Sequence, residues 1–152
     1  MKFVLWEQVI KSVPLAKEYE YHIIPTSITP FLVVRNGGAA IEFYTSALGA
    51  LELFRFTGPD GKLVAKLGIE GAMFWLSDEE PEFDSCSPET VGGTPVRIIL
   101  TVSDPDTLFA RALEAGAIQL SPVTTAHAWK IGKLKDPFGH VWEIGHPLPG
   151  NP

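Results

Sequence analysis

Few side chains in this sequence could do acid–base, nucleophilic or metal chemistry. There are four histidines, His22, His127, His140 and His146, and one cysteine, Cys86. A single cysteine admits no internal disulfide and no cysteine metal cluster. Cys86 sits in an acidic, Pro/Ser-rich stretch with no basic neighbour to lower its pKa, so it reads as an unreactive thiol. No Ser/His/Asp arrangement can be argued. Gly37-Gly38 and Gly92-Gly93 are isolated pairs that fit no dinucleotide or phosphate-loop pattern. His140, Glu143 and His146 lie close enough in sequence to consider as a metal trio. Strand alternation opposes it: Val141 and Glu143 would point one way and His140, Trp142 and Ile144 the other. His140 reads instead as a residue that orients its hairpin. The stretch Thr124-Thr125-Ala126-His127-Ala128-Trp129-Lys130 brings an imidazole, an indole and an ammonium together, on a loop expected over 124–128. His22 reads as solvated.

Composition bounds what must position these groups. The chain has 152 residues, 45% hydrophobic and 20% charged, enough for one domain or two small fused units. Thirteen prolines and fourteen glycines point to many turns and short strands. Lys and Arg number 12 against 18 Asp and Glu, a net charge of −6 with no basic cluster, which excludes a nucleic-acid partner. No apolar run approaches the roughly 18 residues of a membrane span, so no membrane partner is expected. Glu7 ends the opening apolar run too early for a secretory segment, and a cytoplasmic location is expected.

The chain also repeats itself. Phe31-Leu32-Val33-Val34-Arg35 and Ile98-Ile99-Leu100-Thr101-Val102 both read as buried strands. Helix-start signals follow, Asn36 in the first copy and Asp104-Pro105 in the second. Ile41, Tyr44 and Leu48, and then Leu108, Phe109, Ala112 and Ala115, have helical spacing. Each helix closes on Gly-Ala, at Gly49-Ala50 and Gly116-Ala117, where glycine suits a left-handed cap. Strands are expected at about 51–57 and 62–69, joined by Gly58-Pro59-Asp60-Gly61, and at about 117–123 and 129–135. Asp136-Pro137-Phe138-Gly139 reads as a type I turn. Gly71-Ala72-Met73-Phe74-Trp75-Leu76 then matches Gly139-His140-Val141-Trp142-Glu143-Ile144, 68 positions on. Tyr44, Phe43 and Phe54 read as core. The expected organisation is an N-terminal extension (1–25), module one (26–78), an acidic linker with scope to be mobile (79–95), module two (96–148) and a tail (149–152). The extension shows a weak amphipathic pattern that Pro14 would end.

Two β-α-β-β-β modules with Phe43-Tyr44 and Leu48-Gly49-Ala50 in the first helix and Asp136-Pro137-Phe138-Gly139-His140-Val141-Trp142-Glu143-Ile144 in the last hairpin resemble the vicinal-oxygen-chelate superfamily. This is the glyoxalase, bleomycin-resistance and extradiol-dioxygenase group. Ile28-Thr29-Pro30-Phe31, Gly58-Pro59-Asp60-Gly61-Lys62 and Ser87-Pro88-Glu89-Thr90-Val91-Gly92-Gly93 resemble its PhnB-like branch in particular. The resemblance covers about 25–148. It implies an α+β fold of two βαβββ modules whose mixed sheets curve into half-barrels around a concave site. In metal-dependent members one position on the first strand and one on the last strand of each module supply His or Glu ligands to a divalent ion.

Here the corresponding positions are Thr29, Trp75, Arg97 and Glu143, related in pairs by the offset of 68. Only Glu143 is an ordinary metal ligand, and arginine repels a cation. The expectation is therefore no cofactor and no metal, with an Arg97–Glu143 ion pair in its place. The expected function is a metal-free small-molecule binder of the bleomycin-resistance type, active as a homodimer. It would hold an aromatic or charged ligand among Thr29, Trp75, Arg97, Glu143, Trp129 and His127. The rival readings are a divalent-metal lyase, isomerase or dioxygenase of the glyoxalase type, and a partner protein with a vestigial cleft.

Overall fold

In the computed structural model, which describes residues 24–152, each half of the chain builds one four-stranded sheet. The first holds β1 (Phe31–Val34), β2 (Leu51–Thr57), β3 (Leu63–Ile69) and β4 (Ala72–Asp78) in the order β1-β4-β3-β2. The second holds β5 (Arg97–Thr101), β6 (Ile118–Ala126), β7 (Trp129–Lys135) and β8 (Val141–Pro147) in the order β5-β8-β7-β6. β1 runs parallel to β4 and β5 parallel to β8; the remaining pairs are antiparallel. The fold is α+β, with two mixed sheets and no closed barrel. Most of the sequence-expected extension, His22 included, lies outside the described residues.

A parallel pair needs a crossover, and one helix supplies it in each half. Helix α1 (Gly37–Leu48) starts where the Asn36 side chain accepts from the Ala39 N–H, and stops at Gly49, whose φ of 68° suits a residue without Cβ. Helix α2 (Pro105–Glu114) starts where Asp104 accepts from Thr107 and Pro105 takes the first turn. It caps at Ala115, one residue before Gly116, which has a φ of 118°. Its buried residues are Pro105, Phe109 and Ala112, while Ala115, expected on the packed side, is exposed.

The two helix-covered sheet faces share one core. Phe74 of β4 meets Trp142 of β8 edge-on, with ring centroids 5.6 Å apart. Tyr44 of α1 lies against both, at 5.3 and 5.6 Å. Asp136, 2% exposed, accepts from the Tyr44 hydroxyl at 2.5 Å, from the Trp142 indole N–H at 2.9 Å, and from the backbone N–H groups of Phe138 and His140. Burial, and then the neighbouring Asp136 carboxylate, push the Tyr44 hydroxyl well above its ordinary pKa. A carboxylate with four donors is a satisfied buried charge, and it fastens module one to module two.

The linker carries secondary structure of its own. Glu80 bridges Ser85, a 3-10 turn covers Pro81–Phe83, and a single helical turn covers Pro88–Val91. The Glu79 carboxylate ties this turn down, accepting from the Ser87 N–H at 2.9 Å and from the Thr90 hydroxyl at 2.7 Å. These bonds, led by the Ser87 N–H, hold the Glu79 carboxyl below its ordinary pKa.

Candidate ligand-binding site

The faces turned away from the shared core carry the unusual chemistry. Residues paired across strands share a face, so each sheet can be read in rows. On the first sheet one open row runs Phe31, Trp75, Lys66, Phe54. The Lys66 ammonium sits 5.4 Å over the Trp75 ring, and Phe54 meets that ring edge-on at 5.9 Å. Phe54 thus belongs to the open face rather than the core, whereas Phe43 and Tyr44 are buried as expected.

On the second sheet one open row runs Arg97, Val141, Lys135, Ile118, and the next Ile99, Glu143, Lys133, Ser121. The Arg97 guanidinium lies 3.2 Å from the Glu143 carboxylate, and the Lys133 ammonium 3.6 Å from the same oxygen. The expected ion pair is present, with Lys133 as a second cation that the resemblance did not point to. Alternation in β7 could have found it: Lys133 and Lys135 share a side, and the Asp136–Gly139 turn folds that side onto the Glu143 side of β8.

Other site expectations fare differently. Trp75 does not stand across from Arg97 and Glu143 within one chain. The two sheets meet through their helix-covered faces, so the open faces look outward from opposite sides of the core. Residues of the edge strands β1 and β5 come together at one end of these faces. There a cleft of about 440 Å³ is lined in part by Ile28, Pro30, Phe31, Arg97, Ile99 and His140. Thr29 is exposed and precedes β1 at the rim of this cleft, beside its lining neighbours Ile28 and Pro30.

The expected 124–128 loop is strand up to Ala126, because cross-strand pairing of Thr124, Thr125 and Ala126 with Ile131, Lys130 and Trp129 continues almost to the tip. His127 and Ala128 form the two-residue turn, both with positive φ, and His127 is exposed there. Trp129 shares the open face with Lys133, and its indole lies beside the Asn151 side-chain amide. Lys130 turns to the helix side and pairs with Asp106. This stretch does not gather into one site.

The trio His140, Glu143 and His146 does not converge either. His140 Nε2 bonds the Val33 carbonyl at 2.9 Å and His146 Nδ1 bonds the Val102 carbonyl at 2.9 Å, both away from Glu143. Cys86 is a free, half-buried thiol.

A profile of the Glyoxalase/Bleomycin resistance protein/Dioxygenase superfamily matches residues 22–144. The chain belongs to this superfamily. It is 43% identical over 131 residues to an uncharacterized protein of Mycobacterium bovis, Mb0911c, covering 82% of this chain and 86% of that one. Two solved structures share the fold. One is a gene product of Arabidopsis thaliana, At5g48480, with TM-score 0.62 and 27% identity over 81% of this chain and all of that one. The other is TioX from Micromonospora sp. ML1, with TM-score 0.64 and 25% identity over 82% of this chain and all of that one.

The superfamily includes metal-dependent members, and the residues here do not fit a divalent ion. The four positions hold one carboxylate, already bonded to a guanidinium and an ammonium, together with a threonine, an indole and that guanidinium. Among the described residues no three His, Cys, Asp or Glu side chains gather as metal ligands would. Nor is any described helix long and apolar enough to cross a membrane.

Proposed function

We propose that this chain is a metal-free small-molecule binding protein of the bleomycin-resistance type, in the PhnB-like branch of its superfamily, working in the cytoplasm as a homodimer. The observation that carries this reading is the Arg97–Glu143–Lys133 cluster. A divalent ion brought to Glu143 would have to displace two cations that already neutralise it.

The dimer follows from what one chain leaves unfinished. Among the described residues β5 has a single strand neighbour, β8, and beside β1 and β5 the side chains of Ile28, Val96 and Ile99 expose 97, 65 and 57% of their surface. Ile118 and Leu51 are exposed on the open faces as well. A second copy, related by a twofold axis near these edges, covers them and sets the Trp75 face of one protomer against the Glu143 face of the other. The ligand cleft is then shared between copies.

The test is elemental analysis of untagged protein purified without chelator, together with its mass by sedimentation. The expected result is a particle of twice the chain mass with substoichiometric Ni, Zn, Mn and Fe, and no melting shift when these ions are added. Near one divalent ion per chain overturns the metal-free reading and calls for lyase, isomerase and dioxygenase assays. A monomer at micromolar concentration overturns the shared cleft.

A further inference from the structure

The charge on the two open faces narrows the ligand. Four of the chain's twelve Lys and Arg stand there, Lys66, Arg97, Lys133 and Lys135, against one of its eighteen Asp and Glu, Glu143. A chain of net charge −6 thus turns two positive faces outward. Glu143 takes up part of that charge through Arg97 and Lys133. Lys135 has no carboxylate partner among the described residues, and Lys66 rests on an indole ring rather than an acid. The guanidinium keeps further N–H donors beyond the Nη1 that faces Glu143.

We infer that the ligand is an aromatic anion: a planar ring system bearing a carboxylate or a comparable acidic group. This rests on the shared cleft proposed above and specifies its occupant. Phe31, Trp75 and Phe54 provide ring faces and edges on one wall, with Ile99 on the other. Arg97, Lys133 and Lys135 meet the acidic group, and Lys66 adds a fourth positive charge beside the rings. A cationic aromatic ligand would offer the rings the same area but face the excess positive charge. Glu143 offsets part of the positive charge that Arg97 and Lys133 present to the anion.

Three probes of one shape separate the possibilities: 2-naphthoate, 2-naphthamide and 2-naphthylmethylammonium, titrated calorimetrically into the dimer. Naphthoate is expected to bind on the order of tenfold tighter than the amide, as one additional charge contact provides, with the ammonium weakest. Lys135→Glu is expected to weaken naphthoate by a similar factor and the amide by less, so that the preference for naphthoate over the amide shrinks while the dimer mass stays the same. Glu143→Gln is expected to tighten naphthoate, where a merely structural Glu143 would leave it alone. Equal or tighter binding of the ammonium overturns the anion inference while the binder reading stands. Binding of none of the three at millimolar concentration overturns both. Stoichiometric metal together with a naphthoate preference overturns the metal-free reading and leaves this inference standing.

Discussion

Replacing Tyr44 by Phe tests how the two modules are fastened. The ring keeps its contacts with Phe43, Phe74, Phe138 and Trp142, so nothing is lost in packing. What disappears is one hydrogen bond, 2.5 Å long, to the buried Asp136 carboxylate, which retains three other donors. Bonds to charged groups contribute about 1.5–3 kcal/mol, so about 2 kcal/mol is expected at neutral pH, a fall in Tm of about 4–8 °C. The pH dependence makes the test sharper. The folded hydroxyl holds its proton well above the ordinary value of 10.0. Its stabilisation is therefore complete below that value and declines as pH rises, because the unfolded tyrosine ionises first. Wild type should lose about 1.4 kcal/mol per pH unit relative to the Phe variant once the pH exceeds about 10. Urea unfolding followed by circular dichroism at neutral pH and at about pH 11 reads both effects, since ionisations common to the two proteins cancel. A neutral-pH difference under about 0.5 kcal/mol, or a difference unchanged between the two pH values, would refute the account of this contact.

Two further perturbations probe packing and the linker. At Gly132 an added Cβ would meet the Phe109 ring and the Val123 side chain at 2.8 Å, so Gly132→Ala should cost about 1–3 kcal/mol in urea unfolding; a neutral result would mean that α2 moves freely over its sheet. Glu79 is held below its ordinary value of 4.5, so its stabilisation is present above that pH and lost as pH falls through the folded value. Glu79→Gln should flatten the acid limb of the stability profile measured by urea midpoints, and an unchanged limb would show that the Ser87 and Thr90 bonds do not hold the linker.

The repeat made most of the fold legible, because strand and helix signals recur at offsets of 67 and 68 and each copy checks the other. The structure keeps the second of these offsets through the pairing: Phe31 lies opposite Trp75 as Ile99 lies opposite Glu143. The Asn36 and Asp104 caps and the strand at 51–57 were readable from local rules. The tip of the β6–β7 hairpin is not legible in the sequence because it is built by His127 and Ala128 at positive φ, with no Asn-Gly or Asp-Gly pair to mark it. The order in the linker was hidden for a different reason. It depends on Glu79 reaching forward to Ser87 and Thr90, a tertiary contact that a Pro/Ser/Gly-rich composition does not reveal. At the site, single positions and the Arg97–Glu143 pair were readable, and the wider grouping was not. Finding Glu143 needed the repeat; finding Lys133 beside it needed the β7–β8 register; and placing Trp75 needed the way the sheets pack.

That packing also explains why the two halves of a duplicated fold carry such different open faces. The Asp136 hub and the Tyr44, Phe74 and Trp142 rings lock the helix-covered faces together, so the open faces of one chain cannot turn toward each other without dismantling the core. Each face is therefore free to change without having to complement its sister in the same chain. In the dimer proposed above, the complement of each face would be the other face of a second copy, and both clefts would receive one aromatic wall and one cationic wall. A substitution at Trp75 and one at Arg97 then lie in different chains yet in the same cleft. Mixing a Trp75 variant with an Arg97 variant would leave half the clefts of each mixed dimer intact, whereas a cleft built within one chain would leave none.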